Sequence, residues 1–221
     1  MDIRIEAISH KYRKTRVPVL DGVTHDFCSG CIHGIFGDNG TGKTTLLRLV
    51  AGLEPLQKGA ILVGGQSVTL SRVRSEGIVY VASKPVVLTG SVLHNATVAL
   101  VSRGMSREEA SKRVEPLMQR LDLWRLRDQL ASTLSSGEGQ KLAIIRAIAL
   151  NPKVLLVDEP TGNVDVAMTE QAEEMIRALV LEQGATVILV SHDLEQLKRM
   201  SDKSWRMRVG GHIAMEEVGV C

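Results

Sequence analysis

Aromatic residues, cysteines and an excess of either charge are all scarce in this 221-residue sequence. Aromatic side chains make up 3% of the residues, too few for the stacking surfaces that hold single-stranded nucleic acid. The formal net charge is +2, so a protein that binds nucleic acid through bulk charge is not expected. Three cysteines cannot build the disulfide framework of a small secreted protein, which favours a reducing compartment.

The sequence also lacks a clear signal peptide or membrane span. Residues 1–6 alternate apolar and charged side chains instead of forming an apolar core, so export is not predicted. The longest stretch without a charged residue, 85–102, contains proline, glycine and several hydroxyl groups and would make a poor membrane span. We therefore expect any role at a membrane to depend on partner proteins.

Short apolar runs alternate with amphipathic segments along much of the chain. Residues 1–36 indicate short strands, 43–50 a helix and about 91–150 a largely helical region. The continuous apolar runs at 154–157 and 185–190 are typical of strands buried on both faces. This alternation predicts an α/β protein with a parallel sheet, into which the helical region is inserted.

The strongest motif is a glycine-rich loop of the form G-x-x-x-x-G-K-[ST]. Its residues are Gly37, Asp38, Asn39, Gly40, Thr41, Gly42, Lys43 and Thr44. Such a loop turns backbone N–H groups toward phosphate oxygens, and the helix that follows points its positive end at the same anion. Lys43 would reach the terminal phosphates, and the Thr44 hydroxyl would bind Mg²⁺. A chance match is expected roughly once in a hundred chains of this size.

Two carboxylates follow the apolar strand at 154–157. Because ligands of open α/β sheets bind beyond the carboxyl ends of the strands, Asp158 is placed to hold Mg²⁺ and Glu159 to orient and deprotonate an attacking water. His192 follows the second buried strand and is expected near the same phosphates. Ser191 or Asp193 also suits the cap of the next helix, and both interpretations can hold.

Cys28 and Cys31 have the C-x-x-C spacing of a redox pair or of half a metal site. The sequence has no second pair to complete a zinc set, and the pair falls between two predicted strands. Two small residues flanking a tight turn is the favoured interpretation.

A further segment indicates a specific family. Residues 134–140, Leu-Ser-Ser-Gly-Glu-Gly-Gln, resemble the Leu-Ser-Gly-Gly-Gln/Glu signature of ABC-type ATPases and lie shortly before the acidic strand, as in that family. The resemblance covers essentially the whole chain as one ABC-type ATP-binding domain. It implies a phosphate-loop NTPase (RecA-like) fold with a mostly parallel sheet, an antiparallel β subdomain and an α-helical subdomain inserted at about residues 84–150.

The resemblance also implies roles for single residues. Tyr12 would stack on adenine, the phosphate loop with Thr45 would bind ATP, and His192 would contact the γ-phosphate. Ser135 and Gly137 would contact the γ-phosphate held by a second protomer, and Asp165 would lie in a loop at that dimer interface. Lys43, Glu159 and His192 are the expected catalytic residues, and ATP with Mg²⁺ the cofactors.

The implied protein is the ATP-hydrolysing subunit of an ABC transporter at the cytoplasmic face of a membrane. Its partners would be transmembrane permease subunits, a second ATPase subunit (a homodimer in the simplest case) and, through the complex, a solute-binding protein. Residues 158–165 and 84–88 look most like importers of tungstate-type oxyanions. A lipid- or lipoprotein-handling ATPase remains an alternative, and a soluble ABC ATPase acting on DNA or ribosomes is a weaker one.

Two positions depart from the family pattern. Ser83 stands where a Gln usually contacts Mg²⁺ and the attacking water, and its shorter side chain would have to act through a bridging water. Ser136 stands where Gly is usual and adds a side chain beside the phosphate, which would modestly weaken dimer closure. The apolar stretch 86–101 fits two interpretations equally, a surface for a membrane subunit and the core of the helical region.

Overall fold

The computed structural model describes residues 1–13, 16–69, 73, 77–160 and 166–215. They divide into two compact units, the first formed by residues 1–80, 153–159 and those from 180 onward, the second by 81–152 and 160–179. The strands are β1 (Ile3–His10), β2 (Leu20–Phe27), β3 (Ile32–Phe36), β4 (Lys58–Val63), β5 (Gln66–Ser67), β6 (Ile78–Val81), β7 (Val154–Asp158), β8 (Thr186–Val190), β9 (Lys203–Met207) and β10 (Ile213–Met215). The helices are α1 (Lys43–Val50), α2 (Val92–Val101), α3 (Arg107–Arg120), α4 (Ser136–Ala149), α5 (Val166–Gln183) and α6 (Leu194–Met200), with 3-10 turns at Trp124–Leu126 and Ala131–Thr133.

An antiparallel sheet, in the order β2-β1-β4-β5, forms one layer of the first unit. Ile3, Ile5 and Ile8 point inward along β1. The pairing register shifts between Ile5 and Ile8, where Ala7 adopts a left-handed backbone with φ 44°. Such a bulge re-aims the strand and explains why its buried residues do not alternate strictly by two.

A six-stranded sheet, in the order β10-β9-β3-β8-β7-β6, positions the phosphate loop and Asp158. Strands β9, β3, β8 and β7 run parallel, and every residue of β7 and β8 is buried. Asp158 pairs with Val190 and Val190 with Ile35, so three strands end at the same edge of the sheet. The prediction of a mostly parallel sheet is confirmed, and the phosphate loop and Asp158 both leave the sheet at this edge.

One apolar cluster joins the two sheets and α1. Leu46 and Leu47 on α1 pack with Ile5 and Phe27 of the antiparallel sheet and Leu156 of β7, all of them buried. Phe27 and the two leucines have no exposed surface, and a buried side chain of this size stabilises the fold by about 1.5–3 kcal/mol. The core therefore fixes α1, and with it the phosphate loop, against the parallel sheet.

The second unit contains the helical region. Helices α2, α3 and α4 pack against one another through small and branched apolar residues. The main buried side chains are Val92, Ala96, Leu100, Ala110, Val114, Met118, Leu142 and Ile145. Ser106 is the N-cap of α3 and forms a capping box with Glu109. Among the described residues, we find no helix whose length and apolar character would let it span a bilayer.

Candidate functional site

The phosphate loop connects β3 to α1 through backbone that only glycine adopts easily. Gly37 has a φ of 151°, and a Cβ on it would lie 2.2 Å from the carbonyl oxygen of Met207. Gly42 has a φ of 102° and supplies no side-chain cap to α1. The N-terminal amides of α1 are therefore left for an outside acceptor, which is the usual basis of anion binding at a helix N-terminus.

Lys43 is folded back onto this loop. Its Nζ donates to the carbonyl oxygens of Gly37 at 2.6 Å and Asp38 at 3.0 Å, and its side chain is buried. Burial lowers the pKa of Lys43, while the charges of Asp158 and Glu159 act in the opposite direction. A bound triphosphate would replace the two carbonyls with charged oxygens, a stronger partner for the ammonium group.

Thr44 and Asp158 meet at the sheet edge as predicted. The Thr44 hydroxyl donates to Oδ1 of Asp158 at 3.2 Å. Asp158 is almost fully buried, and this burial raises its pKa, whereas the hydrogen bonds from Thr44 and Tyr80 lower it. Two adjacent oxygen ligands fit Mg²⁺, which takes few protein ligands and keeps several waters.

Tyr80 is part of this site and was not predicted from the sequence. It lies on β6, beside β7, and its hydroxyl donates to Oδ2 of Asp158 at 3.1 Å. Burial, followed by the charge of Asp158, raises the pKa of Tyr80 well above its usual range, so the phenol stays a neutral donor. Asp158 thus accepts one hydroxyl on each carboxylate oxygen. A tyrosine hydroxyl usually finds a hydrogen-bond partner when the side chain is buried within the fold. This tendency was the only signal in the sequence that could have pointed to Tyr80.

Glu159 and His192 also come together as expected. Nε2 of His192 lies 2.5 Å from Oε1 of Glu159, and both side chains are partly exposed to solvent. Glu159 has a left-handed backbone with φ 51°, and its amide donates to the carbonyl of Val190 at 2.9 Å. Strained backbone of this kind persists where surrounding structure imposes it, often at functional sites. Asp193 caps α6 through the amides of Glu195 and Gln196, so the capping prediction holds as well.

Tyr12 lies near the phosphate loop. Its hydroxyl is 3.3 Å from the hydroxyl of Thr45, and its ring makes an edge contact with His10. The remaining loop residues divide by exposure: Thr41 is buried and donates to the Asp38 carbonyl at 2.9 Å, whereas Asp38, Asn39 and Gly40 are exposed.

The remaining predicted residues belong to the second unit or lie outside the described residues. Ser135 is the N-cap of α4 and forms a capping box with Glu138, whose pKa is lowered by the hydrogen bonds from Ser135. Gly137 lies in the first turn of the same helix. Ser83 is exposed. Asp165 lies outside the described residues, so its role stays a prediction.

The segment that follows Ser83 is held by one buried side chain and one half-buried side chain. Asn95 on α2 accepts from the amide of Leu88 at 2.8 Å and donates to its carbonyl at 2.9 Å. Arg146 on α4 donates to the carbonyl of Val86 at 2.9 Å. Val92 is fully buried, as expected for the core of the helical region, whereas Val86 is 67% exposed. A surface for a membrane subunit at the exposed positions stays a prediction.

Comparison with known proteins identifies the family. A family model described as ABC transporter matches residues 20–162. The chain belongs to this family. It is 34% identical over 202 residues to the tungstate uptake system ATP-binding protein TupC of Peptoclostridium acidaminophilum, covering 91% of this chain and 92% of that protein.

Other relatives are longer than this chain. It is 35% identical to the Fe(3+) ions import ATP-binding protein FbpC of Pasteurella multocida, over 87% of this chain and 55% of that relative. It is 33% identical to the sulfate/thiosulfate import ATP-binding protein CysA 1 of Rhizobium meliloti, over 99% of this chain and 63% of that relative. The chain thus spans between about half and two thirds of the length of these proteins.

Solved structures confirm the fold. The dimeric structure of a bacterial ABC transporter cassette has a TM-score of 0.88 and 25% identity, covering 99% of this chain and all of that one. A second dimeric cassette structure, of a post-hydrolysis state bound to ADP and Pi, has the same TM-score and 24% identity. The phosphate-loop NTPase fold predicted from the motifs is therefore correct.

Proposed function

We propose that this chain is the ATP-hydrolysing subunit of a multi-subunit ABC transporter. The observation that carries the proposal is the shared sheet edge of the first unit, where the phosphate loop, the Thr44–Asp158 pair and the Glu159–His192 pair lie together. The Thr44–Asp158 pair suits metal binding, and the Glu159–His192 pair suits activation of the water that attacks the phosphate.

Some of the site residues bind ATP and Mg²⁺, and others act in hydrolysis. Lys43 leaves the loop carbonyls and binds the terminal phosphates, and Tyr12 stacks on adenine. Thr44 and Asp158 would hold Mg²⁺, which when bound would offset the negative charge of the phosphate oxygens. Glu159 orients and deprotonates the attacking water, while His192 holds the carboxylate and contacts the γ-phosphate. Ser83 acts on this water and Mg²⁺ through a bridging water.

The working unit is a dimer with two ATP molecules between the protomers. Ser135 and Gly137, at the capped N-terminus of α4, contact the γ-phosphate bound by the partner, and Asp165 lies at the interface. The dimeric structures of related cassettes support this arrangement. Permease subunits hold the dimer at the cytoplasmic face of a membrane, and a solute-binding protein joins the same complex.

The cargo proposed is a small oxyanion such as tungstate. TupC supports this choice because the chain matches it over nearly the full length of both proteins. The iron and sulfate relatives are matched over only part of their length. The cargo itself would contact the permease and the solute-binding protein, not this chain.

Phosphate release from ATP by the purified chain, together with calorimetric ATP binding, tests the proposal. We expect Lys43→Ala to weaken ATP binding by about tenfold or more, the loss of one charge-assisted contact, and to abolish hydrolysis. Lys58→Ala, on the exposed end of β4, is the matched control and should change neither. Absence of phosphate release from the wild type, or full activity in Lys43→Ala, would contradict the proposal.

A further inference from the structure

The turn between β2 and β3 gathers three metal-ligating side chains that the nucleotide site does not use. Sγ of Cys28 lies 3.4 Å from Sγ of Cys31 and 3.7 Å from Nε2 of His33. All three ligand atoms lie within 4.8 Å of one another. The sequence suggested only a two-cysteine half-site. The third ligand, His33, lies two residues after Cys31 at the start of β3, and its place beside the thiols becomes apparent only when the strand and turn are folded.

The spacing of these atoms fits tetrahedral coordination. With Zn–S bonds of about 2.3 Å and Zn–N bonds of about 2.0–2.1 Å, tetrahedral angles place two sulfurs about 3.8 Å apart and a sulfur and a nitrogen about 3.6 Å apart. The observed 3.4 Å and 3.7 Å differ from these values by a few tenths of an ångström. Binding the ion requires small rotations of the cysteine side chains and loss of the hydrogen bond between Nε2 of His33 and the carbonyl of Cys28.

Three features of the fold hold the cluster in place. Gly30, with φ 67°, makes the turn that brings both thiols to one side. The amide of Ile32 donates to Asp202 at 2.7 Å, which fixes the start of β3. His33 is fully buried on that strand, whereas both cysteines are only half-buried. The two thiols are therefore within reach of a dissolved ion, and the imidazole is held in position behind them.

An ammonium group lies against one of the two thiols. Nζ of Lys203, on the neighbouring strand β9, donates to Sγ of Cys28 at 3.3 Å. A metal ion binds thiolates, not thiols, and a nearby ammonium group offsets part of the negative charge that two thiolates bring. Lys203 thus lies against the cluster without occupying a ligand position.

We propose that Cys28, Cys31 and His33 form a binding site for a thiophilic divalent cation of the Zn²⁺ class, separate from the nucleotide site. Three protein ligands leave the fourth tetrahedral position to water or another outside ligand. Binding crosslinks the β2–β3 turn to β3 and so stabilises the first unit.

Trp205 reports whether His33 takes part. Its indole Nε1 donates to Nδ1 of His33 at 3.2 Å, and Nε2 of His33 lies 2.9 Å from the carbonyl of Cys28. Because the indole only donates, the proton of the neutral imidazole is on Nε2. Metal binding at Nε2 moves that proton to Nδ1, so the hydrogen bond from Trp205 is broken and the indole must turn away.

Cobalt titration of the reduced, metal-free full chain tests the site without nucleotide. We expect a thiolate-to-cobalt charge-transfer band with the intense visible bands of tetrahedral Co²⁺, both removed by one equivalent of Zn²⁺. Cys28→Ser and Cys31→Ser should each weaken binding by at least about tenfold, whereas the control Cys221→Ser should leave it unchanged. A wild-type chain without the charge-transfer band would overturn the proposal.

Tryptophan emission in a Trp124→Phe background separates the ligands. Zn²⁺ should change the emission of Trp205 in this variant and should not change it in Cys28→Ser made in the same background. If the cobalt bands appear while the Trp205 emission stays constant, His33 is not a ligand and the three-residue site is wrong. Circular dichroism of each variant checks that the fold is retained.

Discussion

At the level of single residues, Asp158, the proposed metal ligand, is a buried carboxylate on which two opposing effects act. Burial alone raises its pKa and favours the protonated form, which binds metal poorly. Hydroxyl donors from Thr44 and Tyr80, one on each carboxylate oxygen, oppose this effect. The nucleotide site therefore depends on a tyrosine that is not part of any recognised motif.

Replacing Tyr80 with Phe should move the acid limit of Mg²⁺-dependent ATP binding to higher pH. Tyr80 lowers the pKa of Asp158, so its loss raises that pKa, and more Asp158 is protonated at a given acidic pH. Because the hydrogen bond is to a charged group, it contributes more than a neutral one, so a clear displacement of the profile is expected. Calorimetric titrations with MgATP across pH measure it.

ATP binding without Mg²⁺ is the internal control, since it does not require the Asp158 carboxylate. It should be the same for Tyr80→Phe and the wild type at every pH. A Tyr80→Phe profile that overlays the wild type with Mg²⁺ would show that the hydrogen bond has no effect on the metal site.

The sequence predicted Asp158, Glu159 and Lys43 because each occupies a fixed place in a local motif or at a strand end. Tyr80 could not be predicted in this way, since its contact depends on β6 lying beside β7 in the sheet. His33, the proposed third metal ligand, was missed although it is close to both cysteines in the sequence, because only the folded turn brings its Nε2 near the thiols. Residues whose roles arise from strand neighbours leave little trace in a single sequence.

At the scale of elements, the buried strands and the helix caps were predicted well. β7 and β8 follow the continuous apolar runs, and α5 ends before Gly184, which has φ 64° as a helix terminator requires. Pro116 inside α3 would have predicted a break, yet the helix continues through it, because packing of its buried face outweighs one lost hydrogen bond.

The segment that begins at Ser83 is expected to influence the rate of ATP turnover. Two anchors, Asn95 and Arg146, hold Val86 and Leu88 by three hydrogen bonds a few residues beyond Ser83. We expect Ser83→Gln to raise ATP turnover several-fold, because the amide can contact the water and Mg²⁺ directly. Steady-state phosphate release measures this.

Ser132→Gln is the matched control, since Ser132 is also an exposed serine of the second unit and has no assigned role. It should leave turnover unchanged. Equal turnover in Ser83→Gln and the wild type would remove Ser83 from the proposed mechanism.

At the scale of the whole molecule, His25 should make the fold sensitive to acid. Burial lowers its pKa to about 4, helped by the nearby His33 and opposed by Asp26, while the ring packs on Phe27 and Trp205. Between pH 6.5 and pH 4 the unfolded chain binds the proton and the folded chain does not. Stability therefore falls as pH decreases through this window.

Urea unfolding at several pH values measures this loss. His25 should account for about 2 kcal/mol of it, after allowance for solvent screening of a half-buried ring. His25→Gln should show a correspondingly shallower dependence on pH over the same window. An identical slope in the variant and the wild type would assign the acid sensitivity to other groups.

In the proposed mechanism, Glu159 activates the water that attacks ATP held between two copies of this chain. Glu159→Gln keeps the hydrogen-bonding shape but removes the base, so ATP should bind without being hydrolysed. Light scattering of Glu159→Gln after gel filtration is the most direct test. We expect a dimer with MgATP and a monomer with MgADP. Hydrolysis by the variant at the wild-type rate, or a monomer at saturating MgATP, would contradict the proposed role of Glu159.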